Sequence, residues 1–563
     1  MAGTPSPHPR PTGGTAWLPT PPPAPPLAAG APTSHDAPAV VRAQGGRLVG
    51  PDGIPLLLRG VGLGNWLLPE GYMWGFGDST ASPRQIEALV ADLLGQDAAA
   101  RFWTQFRDRF ITVDDIAAIA AAGFDHVRLP MNWRVLMTPD GAVREDGFAL
   151  VDRLVGWCRE AGLLVLLDLH GAPGGQTGTN IDDSLGRPEL FMSERNLDLT
   201  VALWVEIARR YRDEPAVLGY DLLNEPLPNE WQHVYAADLV VLYRRLTAAI
   251  RAVDPNHLIM YEGTHWATNW EIFTEIWDAN SALQFHRYWM PTDRRAIGQF
   301  LDVGRALGLP VYMGEGGENT PTWVAAAHQL YEDFGVGWNF WTWKKVETLT
   351  SPVSITAPKG WDRVVAYAAG TGTRPARAVA QRIFDELGEN IGFAACAVRP
   401  EIVAAMFRRA PVTLPAYAFT HHGPGVSYAT SAATPHPGLR PDDAVTLRSR
   451  DGRAGLDFTY PEQPDPGAAV VADLRDGDWL AYEVELGEGA WRLVVECEPG
   501  GTGRPVVRVD GTEVRLDPGP DGPGTQGWSG AHRCAGTRRG AIRVGAAGGV
   551  VTLVGLRVTA AEG

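Results

Sequence analysis

Between residues 41 and 411 short apolar runs alternate with amphipathic segments of helical period, and few folds can bury such a pattern. The runs fall at 56–62 (LLLRGVG), 125–129 (DHVRL), 164–169 (LVLLDL), 218–223 (LGYDLL), 258–262 (LIMYE), 282–286 (ALQFH), 310–314 (PVYMG) and 336–341 (VGWNFW). Helices are expected between them at 114–122, 149–161, 199–211, 235–252, 294–307 and 322–333. Continuous apolar strands separated by helices imply parallel β-structure covered on both faces. Eight such units fit a (β/α)8 TIM barrel with insertions, an α/β fold. A doubly wound open sheet is the alternative, but no glycine-rich dinucleotide fingerprint follows the first run.

The flanking segments differ in kind. Residues 1–40 are rich in Pro, Ala, Gly and Thr and poor in branched apolar residues, so a disordered leader is expected there. It has neither the charged start nor the apolar stretch of a classical secretory signal, which favours a cytoplasmic chain. After about 411 the helical period stops. The segments 444–449, 479–486, 490–496, 505–509, 512–516, 541–545 and 550–558 alternate apolar and polar residues between Gly, Pro and Asp clusters. An all-β, jelly-roll-like sandwich is expected over 412–563, behind a barrel over 41–411. A long insertion runs from Trp66 to about Asp114; it either walls the barrel mouth or forms a peripheral helical hairpin.

Composition narrows the function classes. The formal charge of −16 and the absence of a basic stripe argue against nucleic acid, whose binding needs clustered cations. No apolar run is long enough to span a membrane. Four cysteines, Cys158, Cys396, Cys497 and Cys534, have no metal-binding CxxC spacing, although Cys497 and Cys534 could pair in an oxidising compartment. Nothing in the sequence sets the oligomeric state.

On a barrel, residues at the C-terminal strand ends face one common rim. Glu225 (YDLLNEPLP) follows the fourth strand and Glu315 (VYMGEGGEN) the seventh, on opposite sides of that rim. Two carboxyl groups so placed are what retaining glycoside hydrolysis needs: one protonates the leaving oxygen and the other attacks the anomeric carbon. Arg128, His170, Asn224, His286, Tyr288 and Trp341 end neighbouring strands and converge on the same rim. Glu318, three residues beyond Glu315, is a rival nucleophile, and Trp343 competes with Trp341 because strand alternation puts both on one face. Sixteen of the twenty tryptophans lie between Trp66 and Trp361, and indoles cover the apolar faces of sugars. Trp66, Trp74, Trp133, Trp266, Trp289, Trp341 and Trp343 are expected at subsites; Trp157, Trp204 and Trp277 in the helical core. The loop HGAPGGQTGTNIDDS is read as sugar-facing or solvated, since no His/Asp constellation accompanies its acids.

The elements LRGVGLGNW, GFDHVRLP, LLDLHGAPGGQ, YDLLNEP, LQFHRYW, VYMGEGGE and GWNFWTWK resemble, in order, those of glycoside hydrolase family five, the cellulase-like retaining β-glycosidases. The resemblance spans about residues 55–345. It implies Glu225 as acid/base and Glu315 as nucleophile, with Arg128, His170, Asn224, His286, Tyr288 and Trp341 around them. Asn65, His126, Asp168 and Glu262 would be supporting groups. Gly316 departs from the family's usual aromatic after the nucleophile. The implied activity is cleavage of β-glucosidic bonds in a β-glucan or β-glucoside without a catalytic cofactor or metal. A non-catalytic carbohydrate-binding protein, or a transglycosylase using the same intermediate, are the alternatives. The family is often secreted, against the missing signal.

The piece VVADLRDGDWLAYEVELGEGAWRLVVE resembles the family-six-like carbohydrate-binding modules. That implies possible sugar contacts at Tyr428, Trp479, Trp491 or Trp528 and leaves room for a structural calcium in the acidic loops. A purely structural sandwich is the competing reading.

Overall fold

The structure is a computed structural model describing residues 39–77, 82–453, 455–460, 469–519, 521–522 and 524–561. The expected leader therefore lies, up to residue 38, outside the described residues. Eight parallel strands close a barrel: β1 Arg59–Gly62, β2 His126–Asn132, β3 Leu164–Gly171, β4 Val217–Asp221, β5 Leu258–Glu262, β6 Ser281–His286, β7 Val311–Gly317 and β8 Gly337–Trp341. Each pairs with its sequence neighbour, and β8 pairs with β1 through Trp338 and Arg59 to complete the ring. The expected runs match these strands to within a few residues; the largest differences are at β1, where the first three residues of the expected run are not laddered, and at β2 and β7, which extend to Asn132 and Gly317. All seven residues of β2 are buried, as strands covered on both faces must be.

The helices begin and end where their caps dictate. In the insertion after β1, α1 (Pro83–Leu94) starts at a Ser82/Gln85 capping box and is followed by α2 (Gln96–Arg109). A Thr112/Asp115 box opens α3 (Val113–Ala122), which stops at left-handed Gly123. Around the barrel follow α4 (Glu145–Ala161), α5 (Glu194–Tyr211), α6 (Ala236–Arg251), α7 (Arg294–Leu307) and α8 (Pro321–Asp333). Asp293 caps α7 by accepting from the backbone N–H groups of Arg295 and Ala296. At the N-terminal end of the barrel, Val41 and Leu48 of a small hairpin pack with Leu58, Leu166, Leu218, Leu258 and Tyr312. That end is plugged by apolar side chains, so the polar groups gather at the other.

The insertion combines both expectations. Its root, residues 65–74, stays at the mouth of the barrel. Its two helices instead build an outer aromatic cluster in which Trp74 contacts Phe102, Trp103, Phe106 and Trp361.

Beyond α9 (Trp361–Ala368), α10 (Arg377–Asn390) and α11 (Pro400–Phe407) the chain enters two antiparallel sheets. The larger contains β9 (Val412–Pro415), β10 (Val470–Leu474), β12 (Gly489–Cys497), β14 (Gln526–Cys534) and β16 (Val551–Ala560); the smaller contains β11 (Trp479–Leu486), β13 (Arg504–Val509) and β15 (Arg538–Ala547). The strands β10 and β14 were not foreseen. Val470–Leu474 is too short to show a period, and the polar, glycine-broken QGWSGAHRC lacks an apolar alternation.

The barrel and the sandwich meet at a buried carboxylate. Glu332, in the last turn of α8, pairs with Arg59 of β1 at 2.9 Å, with Arg408 after α11, and with Arg539 of β15 at 2.7 Å. The Trp338 indole N–H donates to it at 3.1 Å. Burial alone would raise its pKa; the three guanidinium groups win, and hold it well below the ordinary carboxylate range. The side-chain amide of Asn319, just beyond β7, donates to the Phe458 carbonyl from the sandwich at 2.7 Å. All four cysteines are free thiols. Cys497 and Cys534 lie opposite Gln526 and Gly489, at different points of the β12–β14 ladder, so the pairing considered above is not made.

Candidate active site

At the C-terminal rim the structure brings Glu225, Glu315 and His286 together, with one ligand-type atom of each within 4.8 Å of the others. All three are buried. The barrel positions them directly: His286 ends β6, Glu315 lies in β7 beside it in register, and Glu225 follows β4. Glu225 adopts a left-handed backbone (φ 45°), unfavourable for a residue with a Cβ. Its N–H donates to Glu262 Oε2 at 2.7 Å, which holds this turn in place.

Arg128 is the hub. Its fully buried guanidinium contacts Glu315, Asp221 (2.8 Å), Asp168 (3.1 Å) and Glu262 (3.2 Å), and donates to Asn224 Oδ1 at 2.8 Å. A buried cation needs such partners, because desolvation without them costs several kcal/mol. The Tyr288 hydroxyl donates to the other oxygen of Glu315 at 3.1 Å. Burial pushes the Glu315 carboxyl above its ordinary pKa, with His286 and Arg128 opposing the rise.

His286 Nδ1 lies 2.7 Å from Glu225 Oε1 and 3.7 Å from Glu315 Oε2, while Nε2 lies 3.3 Å from Glu262. Burial would lower this imidazole, but Glu262, then Glu315, and the hydrogen bond to Glu225 raise it well above its ordinary value. The carboxylates around it thus favour its protonated form. His170 is the opposite case: burial lowers it to about 4, so it is neutral. Its Nδ1–H donates to Asp168 at 2.7 Å, which leaves Nε2 free to accept from the Asn224 amide at 3.2 Å. Arg128 and His170 together fix which end of the Asn224 amide faces which way.

Trp341 lies parallel to His170 and its N–H donates to the Tyr72 hydroxyl at 2.7 Å. Trp343 does not join it. Its indole N–H donates to Asp115 of α3 at 2.9 Å and its ring stacks on Phe393. The strand ends at Trp341, so alternation within it does not carry on to Trp343 and the two rings part. Trp66 is also buried away from the mouth, donating to the Arg107 carbonyl at 2.8 Å. Trp74 and Trp133 are buried as well, donating to Asn65 and Asp183. Trp289, by contrast, is exposed beside Tyr288 and donates to the Glu318 carbonyl. The Glu318 carboxylate pairs with Lys345.

Several participants were not foreseen. Glu70 and Tyr72 reach the rim from the insertion, where no period links them to a strand. Glu70 is buried, with Oε1 lacking a hydrogen-bond partner and 4.0 Å from His170. Burial, then Glu315, Glu318 and Glu225, raise its pKa well above the ordinary value. Asp221 and Gln284 support the hub from β4 and β6. Of the groups expected only as supports, Asp168 and Glu262 contact Arg128, Asn65 binds Trp74 and the Glu70 N–H, and His126 bonds Tyr312 deeper in the barrel. The loop read as sugar-facing or solvated is braced internally instead. Asp182 accepts from the N–H groups of Gln176, Thr177 and Ser184, and the Gln176 amide donates to the carbonyls of His170 and Asn224.

Residues 92–347 match the family model of cellulase (glycosyl hydrolase family 5). The matched segment runs from the end of α1 to just beyond β8. Among curated proteins, the chain is 33% identical over 257 residues to a beta-xylosidase of Phanerodontia chrysosporium, covering 44% of this chain and 52% of that one. It is 32% identical over 273 residues to a probable glucan 1,3-beta-glucosidase A of Aspergillus fumigatus, covering 46% of this chain and 64% of that one. The chain thus spans between half and two thirds of these relatives. A solved rutinosidase from Aspergillus niger is 18% identical, with a TM-score of 0.42, over 52% of this chain and 91% of that one.

Proposed function

We propose that this chain is a retaining β-glycoside hydrolase acting on β-glucosidic bonds of a β-glucan or β-glucoside, with Glu315 as nucleophile and Glu225 as acid/base. The observation that carries the reading is the spacing of Glu225 and Glu315, whose nearest carboxylate oxygens are within 4.8 Å. Retaining enzymes hold the pair about 5–5.5 Å apart, whereas inverting ones leave about 6.5–9.5 Å for a water.

The surroundings divide the roles. Glu315 takes a guanidinium contact and a tyrosine donor, both of which stabilise its ionised form. It attacks the anomeric carbon, forming a C–O bond as the glycosidic C–O bond breaks. The leaving oxygen takes the proton of Glu225. Glu225 then removes a proton from water, which displaces Glu315 and restores both carboxyl groups. Asn224, locked by Arg128 and His170, presents its amide next to the acid/base. Glu318 is occupied by Lys345, which supports Glu315 over its neighbour.

The beta-xylosidase and glucan 1,3-beta-glucosidase names of the relatives agree with a β-glycosidic substrate. The barrel is read as the catalytic unit over 41–411 and the sandwich over 412–563 as a body fixed to it. Tyr428 is buried, and Trp491 and Trp528 pack against the core, so these aromatics favour a structural sandwich.

The test is hydrolysis of aryl β-glycosides and β-glucans by the wild type beside Glu225→Gln and Glu315→Gln, with the anomer of the first product followed by NMR. A β product and losses of several orders of magnitude in both variants are expected. An inverted product, or an active Glu315→Gln, would refute the assignment.

A further inference from the structure

A second pocket lies outside the barrel mouth. It occupies about 440 Å³ between α1, α2, the N-terminal part of α4 and the turn after β2, a volume suited to a small molecule. Three arginines line it, Arg107, Arg134 and Arg144, against two carboxylates, Glu87 and Asp146. The pairing among them is uneven. Arg134 binds Glu87 at 2.7 Å and Asp183 at 2.8 Å, and Arg144 binds Asp146 at 2.9 Å. Both carboxylates of the pocket are thereby used.

Arg107 is left over. Its backbone carbonyl accepts from Trp66, but its half-buried guanidinium has no acceptor among the described residues. The indole N–H of Trp103, one turn earlier on α2 and lining the same pocket, is buried and also lacks an acceptor. A buried indole N–H without an acceptor, beside a half-buried guanidinium that no carboxylate pairs with directly, leaves two donors at the wall of an open pocket for an added acceptor to meet. Burial already lowers the Arg107 pKa from its ordinary value, the sign of a guanidinium short of compensating charge.

We infer that this pocket binds a small molecule carrying an oxyanion, a carboxylate or a phosphate, with the Arg107 fork as its anchor. A planar guanidinium matches either group through two parallel hydrogen bonds. The site is independent of the carboxylate pair and of the activity proposed for it. None of the groups that contact Glu225 or Glu315 lines it.

The experiment is thermal unfolding of the full chain at fixed ionic strength, titrated with glucuronate, with glucose 6-phosphate and with neutral glucose. Glucose reports any contribution of the barrel mouth, and the two anions distinguish a carboxylate from a phosphate source. A ligand that binds only the folded state raises Tm saturably. At least one anion is expected to raise Tm by several degrees more than glucose does. Arg107→Met should remove that excess. Arg107→Lys, which keeps the charge but not the fork, should weaken the apparent affinity tenfold or more, and Trp103→Phe should weaken it less. If neither anion exceeds glucose, or if the excess persists unchanged in Arg107→Lys, the inference is wrong.

Discussion

The indole of Trp341 and the imidazole of His170 lie parallel, with ring centroids 5.4 Å apart and planes 3° from coincidence. Gly62 and Gly64 make room for this stack. A Cβ on either would come within 2.7 Å of the Trp341 ring. The run RGVGLGN thus shapes the floor on which the aromatic wall stands.

Gly64→Ala should therefore displace Trp341 while leaving the two carboxylates in place. The expected result is a rise of about tenfold in KM for an aryl β-glycoside with a smaller change in kcat. Steady-state kinetics beside Trp341→Phe measure it, and an unchanged KM in both variants would show that the ring does not meet substrate.

The acid limb of kcat/KM should report Glu315, which must be ionised to attack. Because burial raises its pKa, the limb should lie above the ordinary glutamate value of about 4.3. Tyr288→Phe removes a donor to the ionised form, so the limb should move further up and kcat fall by about 10- to 100-fold. A limb at or below the ordinary value, unmoved by the substitution, would contradict this.

Glu70 brings an unpartnered buried oxygen to the rim, and the reading of the cleft as a sugar site makes it an acceptor for glycon hydroxyls. A hydrogen bond contributes about 0.5–1.5 kcal/mol net. Glu70→Ala should lower kcat/KM by about 2- to 10-fold, and a deoxy-glycoside series should show which hydroxyl has lost its partner. Equal losses across the whole series would argue for a structural role instead.

Trp66 and Trp343 separate structure from recognition. Each donates from a buried indole, to Arg107 and Asp115 respectively, and neither joins the group around Arg128. Replacement by Phe should lower stability by about 1–3 kcal/mol, from the lost hydrogen bond and the space left by the smaller ring, with KM changed less than twofold. Thermal unfolding and kinetics on the same preparations check both halves.

Glu332 should dominate the link between the two halves. Removing one partner from a buried ion cluster costs about 3–5 kcal/mol, so Glu332→Gln should unfold at lower temperature and expose the Arg408 segment to protease. Its pKa is lowered in the folded state, so its stabilisation is present above the unfolded value of about 4.3 and is lost as pH falls through the folded one. Wild type and variant should thus converge in strongly acid solution.

The barrel was legible because its strands are covered on both faces and leave continuous apolar runs. Glu225, Glu315, Arg128 and His286 were legible because strand ends share one rim. Glu70 and Tyr72 were not, since only the folded insertion brings residues so near the start of the chain against β3 and β8. Trp343 misled for a related reason. Alternation holds within a ladder, and the chain leaves its ladder one residue before that side chain is placed. In the sandwich, β14 was hidden because the glycines and polar residues of QGWSGAHRC break any apolar alternation.

The strand β16 pairs with β12 along one side and with both β9 and β10 along the other. Unpairing of this one strand would therefore open an edge on three neighbours at once, each presenting unpaired N–H and C=O groups. Open edges of that kind recruit further strands. Damage to this one strand would therefore lead to association of whole molecules.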